Sequence, residues 1–320
     1  MTDFTQKLDA IELRAAYCNA LIEAAKLDGR IVALDCDLRT SLGTKPFAEA
    51  FPKRAFNLGI QEANACCMAA GLSSVGFVPF LHTFSVFASR RIYDQVFLSC
   101  AYAGQNVKLI GGDAGVSAAL NGGTHMPFED IGILRCVPGI TIVEPADAAA
   151  MTALLPQIAA RDGVTYMRMQ RRKAKTIYAP DAKIELGRAN VLRDGSDAAI
   201  ITGGMLVSEA LIAAEALAAR GISARVVDMH TIKPLDEDCV LNCARDCGAV
   251  VTAENHNVIG GLGSAVAECL GRRFPVPIEM VGVAEQFGEV GSIEYLMGRF
   301  GLSAEHIMEK MLICVERKNS

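Results

Sequence analysis

Apolar residues recur at helical spacing over positions 9–29, where Leu13, Tyr17, Leu21, Ala24 and Ala25 share a face, and a continuous apolar run follows at 31–36. The first pattern predicts an amphipathic helix and the second a strand buried on both sides. The alternation continues with a short strand at 55–58, helix 61–73, strand 77–80, helix 85–103, strand 107–111, helix 128–136 and strand 141–143. A further helix and strand close the unit at Arg168. Strands that read as unbroken apolar runs between helices predict a mostly parallel sheet covered on both faces. Positions 170–194 lose this periodicity and carry Arg171, Arg172, Lys173, Lys175 and Pro180, the pattern of a linker with a solvated charge run. Beyond it, strands at 198–202, 224–228 and 249–254 alternate with helices at 206–220, 237–247 and 263–272. The expected fold class is α/β with two doubly wound domains. The larger, mostly parallel sheet spans 1–175, a linker 176–194, and a smaller parallel-sheet domain 195–320.

Composition narrows the class. With 51% apolar and 21% charged residues, and no unbroken apolar run of ~18 residues, no membrane-spanning helix is expected. The polar start, Met1 to Lys7, lacks the charged, apolar and small-residue succession of a secretory leader, so a cytoplasmic protein is expected. Eleven cysteines, an odd number scattered over apolar faces (Cys66, Cys67, Cys100, Cys269), fit reduced thiols rather than a disulfide framework. Cys239, Cys243 and Cys247 recur every four residues, as on the buried face of a helix, and no metal site is expected. A net charge of −5 without basic clustering argues against nucleic acid as a ligand.

Several stretches carry candidate chemistry. In Gly59-Ile60-Gln61-Glu62-Ala63-Asn64 a carboxylate stands between a strand and a helix, where parallel α/β folds build sites. A glutamate in a first helical turn also simply favours the helix dipole. Phe84 and Phe87, three apart in a predicted helix, share a face. Two loops follow, Gly111-Gly112-Asp113-Ala114-Gly115 and Asn121-Gly122-Gly123-Thr124-His125-Met126-Pro127. The second presents an imidazole, suited to proton transfer near neutral pH.

In this order, and with Ile232-Lys233-Pro234-Leu235-Asp236 and Glu254-Asn255-His256-Asn257-Val258-Ile259-Gly260-Gly261 further on, these stretches resemble the pyrimidine-binding and carboxy-terminal domains of transketolases. The resemblance runs from about Asp9 to the last helices. It implies that Glu62 is the catalytic glutamate touching N1′ of thiamine diphosphate, helped by an apolar surround. It makes Phe84 and Phe87 the walls on which the pyrimidine stacks, and Asp37 and Leu38 contacts to the cofactor ring. It gives His125 a catalytic and sugar-binding role, Asn121 a place at a sugar hydroxyl, and Ser41, Arg14 and Arg168 the substrate phosphate, for which a planar guanidinium fork is suited. Glu254 and His256 would be structural. The chain departs from the pattern at Arg90, where many relatives carry an aromatic residue, at Asn121, commonly aspartate, and at Gly112, often histidine.

A complete transketolase also has a Gly-Asp-Gly segment that, with a later Asn, holds Mg²⁺ and the diphosphate. This sequence has no such segment; its Asp28-Gly29 reads as a helix end. The resemblance therefore implies half of a split enzyme, with Mg²⁺ and diphosphate held by an amino-terminal partner subunit in a heterotetramer of two copies of each chain. Its reaction would be transfer of a two-carbon ketol unit from a ketose to an aldose phosphate, as in pentose phosphate metabolism. Two other readings stay open: the β subunit of a 2-oxo acid dehydrogenase, and a non-catalytic assembly subunit.

Overall fold

The computed structural model describes residues 4–320; Met1, Thr2 and Asp3, the first part of the polar start, lie outside the described residues. Among the described residues no helix is long and apolar enough to cross a membrane. The described residues form twelve strands in two sheets: β1 (Ile31–Asp35), β2 (Ala55–Asn57), β3 (Val78–Phe84), β4 (Lys108–Gly112), β5 (Thr141–Val143), β6 (Thr165–Met169), β7 (Asn190–Arg193), β8 (Ala198–Thr202), β9 (Ala224–Asp228), β10 (Thr231–Lys233), β11 (Val250–Asn257) and β12 (Ile278–Val283). The larger sheet has the order β10-β5-β6-β4-β3-β1-β2 and the smaller β12-β11-β8-β9-β7.

The apolar runs explain the parallel core. Every residue of β1, β3, β4, β5 and β6 is buried, because helices cover both faces of a parallel sheet. One covering helix, Leu13–Leu27, buries Leu13, Ala16, Tyr17, Ala20, Leu21 and Ala24, the stripe expected from spacings of three and four. The chain leaves β1 toward β2 on one side and β3 on the other. A crevice outside the carboxyl ends of strands at such a reversal is where open α/β sheets bind ligands.

Four local expectations are corrected. The strand expected at 77–80 runs on through His82, Thr83 and Phe84, so Phe84 has extended backbone (φ −69°, ψ 149°) and is not on the helix with Phe87. The single helix expected over 85–103 is broken into an α-turn (Ser85–Ser89), a 3₁₀ turn (Arg90–Ile92) and a π-helix (Gln95–Tyr102). The break falls at Ser89 (φ −114°, ψ −82°), whose hydroxyl donates to the Ser85 carbonyl at 2.7 Å and so competes with the helical ladder. Asn190–Arg193, inside the stretch expected to be linker, is an edge strand antiparallel to β9, and none of its residues is fully buried, as suits an edge. Finally, β10 leaves the second unit and pairs antiparallel with β5 of the first sheet, Thr231 opposite Val143.

The two units are joined by buried polar contacts. The Asn255 side chain donates to the Ala114 carbonyl and accepts from the Val116 amide. Gly115 makes this approach feasible: at φ +52° a Cβ there would lie 2.1 Å from Asn255 Oδ1. Arg168 belongs to this seam. It is fully buried; Nε donates to Asp130 at 2.9 Å, Nη1 to Glu144 at 3.0 Å and Nη2 to the Asn255 carbonyl at 3.0 Å. All three guanidinium nitrogens are thus committed inside the protein, which corrects the expectation that Arg168 holds a substrate phosphate. Arg168→Met is expected to lower stability by about 3–5 kcal/mol, since it strands two buried carboxylates. Urea unfolding checks this, and a loss under about 1 kcal/mol, the range of an exposed pair, would show that the seam is not holding the units together.

Glu254 and His256, expected to be structural, are both buried. Glu254 accepts from the Leu262 and Gly263 amides at the start of the helix Leu262–Arg273, and burial pushes its carboxyl up to about 7. His256 is buried, which lowers its imidazole to about 4, and it accepts from the Gly132 amide. Of the three thiols expected on a buried helix face, Cys243 and Cys247 are buried and Cys239 is half-buried; no cluster of metal-ligating side chains occurs among the described residues.

Candidate active site

Glu62 is the first residue of the helix Glu62–Ser74, reached from β2 through Leu58 to Gln61. It is 2% exposed, and a buried carboxylate requires partners. Thr83 of β3 donates to Oε1 at 3.1 Å, and Arg91 donates to Oε2 at 2.8 Å. The surround expected to be apolar thus includes a guanidinium. Its carbon lies 3.7 Å from the centroid of the Phe87 ring, so one cation serves both Glu62 and the aromatic face.

Phe84 and Phe87 come together although only one of them is helical, with ring centroids 6.3 Å apart. His125 stands edge-on to both, 5.8 Å from Phe84 and 5.2 Å from Phe87, and its Nδ1 is 2.9 Å from the Thr124 hydroxyl. Leu38 and Leu42 pack with Phe84, Val86 and Phe87 as a small apolar cluster separate from the main cores. Over it opens a depression of about 440 Å³ lined by Val86, Phe87, Arg90, Arg91, Thr124 and His125. Arg90, at the position where relatives carry an aromatic residue, lines this depression and pairs with Glu129 at 2.9 Å.

Asp37 follows β1 in the left-handed region (φ +60°), held by exchange of hydrogen bonds with Asn57: its amide donates to Oδ1 and its carboxylate accepts from Nδ2, both at 3.0 Å. Ser41 lies in the short helix Arg39–Leu42, and its carbonyl accepts from Arg14 at 2.8 Å. Arg14 is also paired with Glu12 at 2.7 Å. The arginine that lies where Arg168 was expected is Arg171, just beyond β6. It chelates Asp113 through Nε at 2.7 Å and Nη2 at 2.6 Å, and lies 5.3 Å from the Phe84 centroid. Burial pushes the Asp113 carboxyl up, opposed first by the Arg171 hydrogen bond and charge and then by the charges of Arg172 and Arg14. Asn121 donates to the same carboxylate at 3.3 Å. Gly112 has a physical reason to lack a side chain, since its Cβ would meet Leu42 Cδ2 at 2.2 Å.

Glu62, Phe84, Phe87 and His125 are linked through Arg91 and the ring contacts, Leu38 packs in the cluster with both phenylalanines, and Asn121 reaches Phe84 through Asp113 and Arg171; Asp37 is held by Asn57 and Arg14 by Glu12 and Ser41, without contact to these four, and Arg168 lies buried in the seam. Arg91, Arg171, Asp113, Asn57 and Thr83 were missed. Arg91 was hidden in an Arg-Arg pair whose orientation depends on the Ser89 break, and Arg171 in what read as a solvated charge run. A carboxylate sunk at a helix start beside an aromatic face can bind a flat, nitrogen-bearing ring that both stacks and donates a hydrogen bond.

The family described as "Transketolase, pyrimidine binding domain" matches residues 9–176, and "Transketolase, C-terminal domain" matches 187–307. The chain belongs to the transketolase family, with both domains of its carboxy-terminal half. It is 51% identical over 316 residues to a 6-deoxy-6-sulfo-D-fructose transketolase subunit of Clostridium sp. (strain MSTE9), covering 99% of this chain and 98% of that one. It is 34% identical over 308 residues to an apulose-4-phosphate transketolase subunit of Phocaeicola vulgatus, covering 96% and 98%. A solved structure described as "Split gene transketolase, inactive beta4 tetramer" superposes with a TM-score of 0.89 at 41% identity, covering 97% of this chain and all of that one. The chain is thus a transketolase-type subunit, and the 2-oxo acid dehydrogenase alternative is not favoured.

Proposed function

We propose that this chain is the pyrimidine-binding subunit of a thiamine diphosphate-dependent transketolase, active with a second chain that holds Mg²⁺ and the diphosphate in a 2+2 heterotetramer. The observation that carries the reading is the Glu62 carboxylate, buried at a helix start within reach of the Phe87 face and backed by Thr83. These residues fit the aminopyrimidine: a carboxylate for its ring nitrogen, an aromatic face for its plane, and the apolar cluster of Leu38, Leu42, Phe84 and Val86 beneath. Thiamine diphosphate, when bound, supplies the nucleophilic carbon and electron sink for breaking and remaking a ketose C2–C3 bond. Glu62 holds the proton at the pyrimidine nitrogen, and Asp37 and Leu38 border the ring. His125 meets a sugar hydroxyl and moves its proton. The division into a cofactor-binding domain at 1–175 and a carboxy-terminal domain at 195–320, joined through 176–194, belongs to the same proposal.

The substrate fitting the rim is a ketose with a terminal anionic group. Arg171 holds Asp113 beside Asn121, and Arg14 reaches the Ser41 carbonyl; guanidinium groups suit phosphate or sulfonate oxygens. The names of the two relatives, one acting on a sulfosugar and one on a sugar phosphate, support that class, and the 51% relative favours the sulfonate. The test is ketol transfer by the mixed subunits with 6-deoxy-6-sulfo-D-fructose, and with fructose 6-phosphate as the competing donor. Absence of transfer from both would overturn the substrate class.

His125→Ala is expected to lower kcat/KM for the sugar by about 10²- to 10⁴-fold, the contribution of a positioned acid or base, while cofactor affinity changes little. Separate titrations of cofactor and sugar into the assembled enzyme check this. A shift in the cofactor constant alone would make His125 a cofactor residue through its contacts with Phe84 and Phe87.

A further inference from the structure

Arg91 makes two contacts that a bound aminopyrimidine would need for itself. Its Nη1 donates to Glu62 Oε2 at 2.8 Å, and its guanidinium carbon lies 3.7 Å from the Phe87 ring centroid. An exposed ion pair is ordinarily a weak, dispensable contact. This pair differs because the two partners are unequal: the Glu62 carboxylate is 2% exposed whereas the Arg91 side chain is 43% exposed. The buried member depends on the arginine for neutralisation, and the arginine is free to leave toward solvent. Thr83 supplies the other carboxylate contact, from inside the sheet. It sits on the closed side, so it stays when Arg91 departs.

The neighbouring charges leave Arg91 alone in this position. Arg90, the adjacent cation, is engaged by Glu129 at 2.9 Å. Asp94, three residues on, carries no ion pair among the described residues and is exposed, a ready acceptor for Arg91 once it swings away from Phe87. The segment carrying Arg91 is the 3₁₀ turn between the Ser89 break and the π-helix, not a regular helix, so its side chains are set by an irregular backbone that can readjust.

We propose that Arg91 is the positioning residue of Glu62 and a displaceable cover of the pyrimidine surface: in the free chain it seats the carboxylate and lies on Phe87, and it must leave both before a pyrimidine ring binds. The inference rests on the reading of Glu62 and Phe87 as the pyrimidine surface. It adds a reason for the isolated chain to bind the ring weakly, apart from the lack of a diphosphate site. Seating by Arg91 keeps the carboxylate in place until it is needed. Displacement then sets a competition in which the ring must outmatch a cation already in contact with both surfaces.

Thiamine itself, which carries no phosphate and requires no metal, is the probe. Calorimetric titration into the full-length chain alone is expected to show at least about fivefold tighter binding for R91M than for wild type, the scale on which loss of one competing cation contact acts. R91K, which keeps the charge but not the flat stacking surface, is expected to fall between them, and it carries the comparison should R91M fail to fold. In the wild-type chain the Arg91 side-chain NH resonance, shifted by the Phe87 ring, is expected to move toward its solvent position as thiamine is added; a purely structural arginine would not respond. Equal or weaker binding by both variants, no detectable binding by any of the three proteins, or an unmoved Arg91 resonance overturns the proposal. Failure of the underlying reading looks different. If E62Q keeps turnover in the assembled enzyme, Glu62 is not the pyrimidine carboxylate; if E62Q is inactive and R91M binds thiamine no more tightly than wild type, only the role of Arg91 falls.

Discussion

Glu62→Gln is expected to leave the fold intact and to reduce ketol transfer by the reconstituted enzyme at least about 100-fold, the lower end of what a positioned acid or base contributes. The substitution is nearly isosteric. The amide oxygen can still accept from Thr83, whose hydroxyl now donates to Oε1 at 3.1 Å, and the helix Glu62–Ser74 keeps its start. What the amide cannot do is take up and return a proton at the pyrimidine nitrogen. Circular dichroism and the melting temperature establish that the variant folds, and steady-state turnover with the partner subunit reads the effect. Retention of more than about a tenth of wild-type turnover is incompatible with the assignment. The variant also separates the proposed enzyme from a non-catalytic assembly subunit, for which residue 62 would matter only to folding.

How much of this site the sequence exposed depends on how each residue is held. Glu62 was legible because its place is set locally: a strand, a short turn and a helix start put a carboxylate at a strand's carboxyl end whatever the rest of the chain does. The thiols of the 239–247 helix were legible for the same reason, since spacing of four fixes a face. Phe84 and Phe87 were correctly paired for the wrong cause. They meet because β3 ends at Phe84 and the chain then turns sharply, bringing the rings within 6.3 Å, whereas the expected helix would have stacked them by periodicity. Arg168 failed because its environment is long-range. Asp130, Glu144 and Asn255 reach it from three separate elements, and no local pattern announces a fully buried guanidinium. Arg171, three residues later, is past the end of β6, beyond the stretch in which every strand residue is buried, and so reaches Asp113 at the rim. The transfer of β10 to the first sheet was equally hidden, because a three-residue strand has too little periodicity to reveal which sheet it joins.

The isolated chain is expected to show no measurable ketol transfer with thiamine diphosphate and Mg²⁺, and to gain it, by at least about 100-fold over the unmixed subunits, when combined with a partner carrying the Gly-Asp-Gly segment. This chain offers the pyrimidine a carboxylate, two aromatic rings and an apolar floor. For the other end of the cofactor it offers no cluster of metal-ligating side chains among the described residues, and a Mg²⁺-diphosphate unit requires hard oxygen ligands. Aromatic contacts worth about 0.5–1.5 kcal/mol each do not offset the ~4–15 kcal/mol of motional freedom lost on binding, and in the proposed arrangement Arg91 must first be displaced. In the proposed heterotetramer, closed symmetry favours two copies of each chain, with each site between unlike subunits. Calorimetric titration of cofactor into each chain separately and into the mixture reads the binding, and sedimentation fixes the stoichiometry. Tight, Mg²⁺-dependent binding by this chain alone would refute the shared site; weak, Mg²⁺-independent binding by this chain that becomes tight and Mg²⁺-dependent only on mixing, at one cofactor per pair of unlike chains, is the result expected.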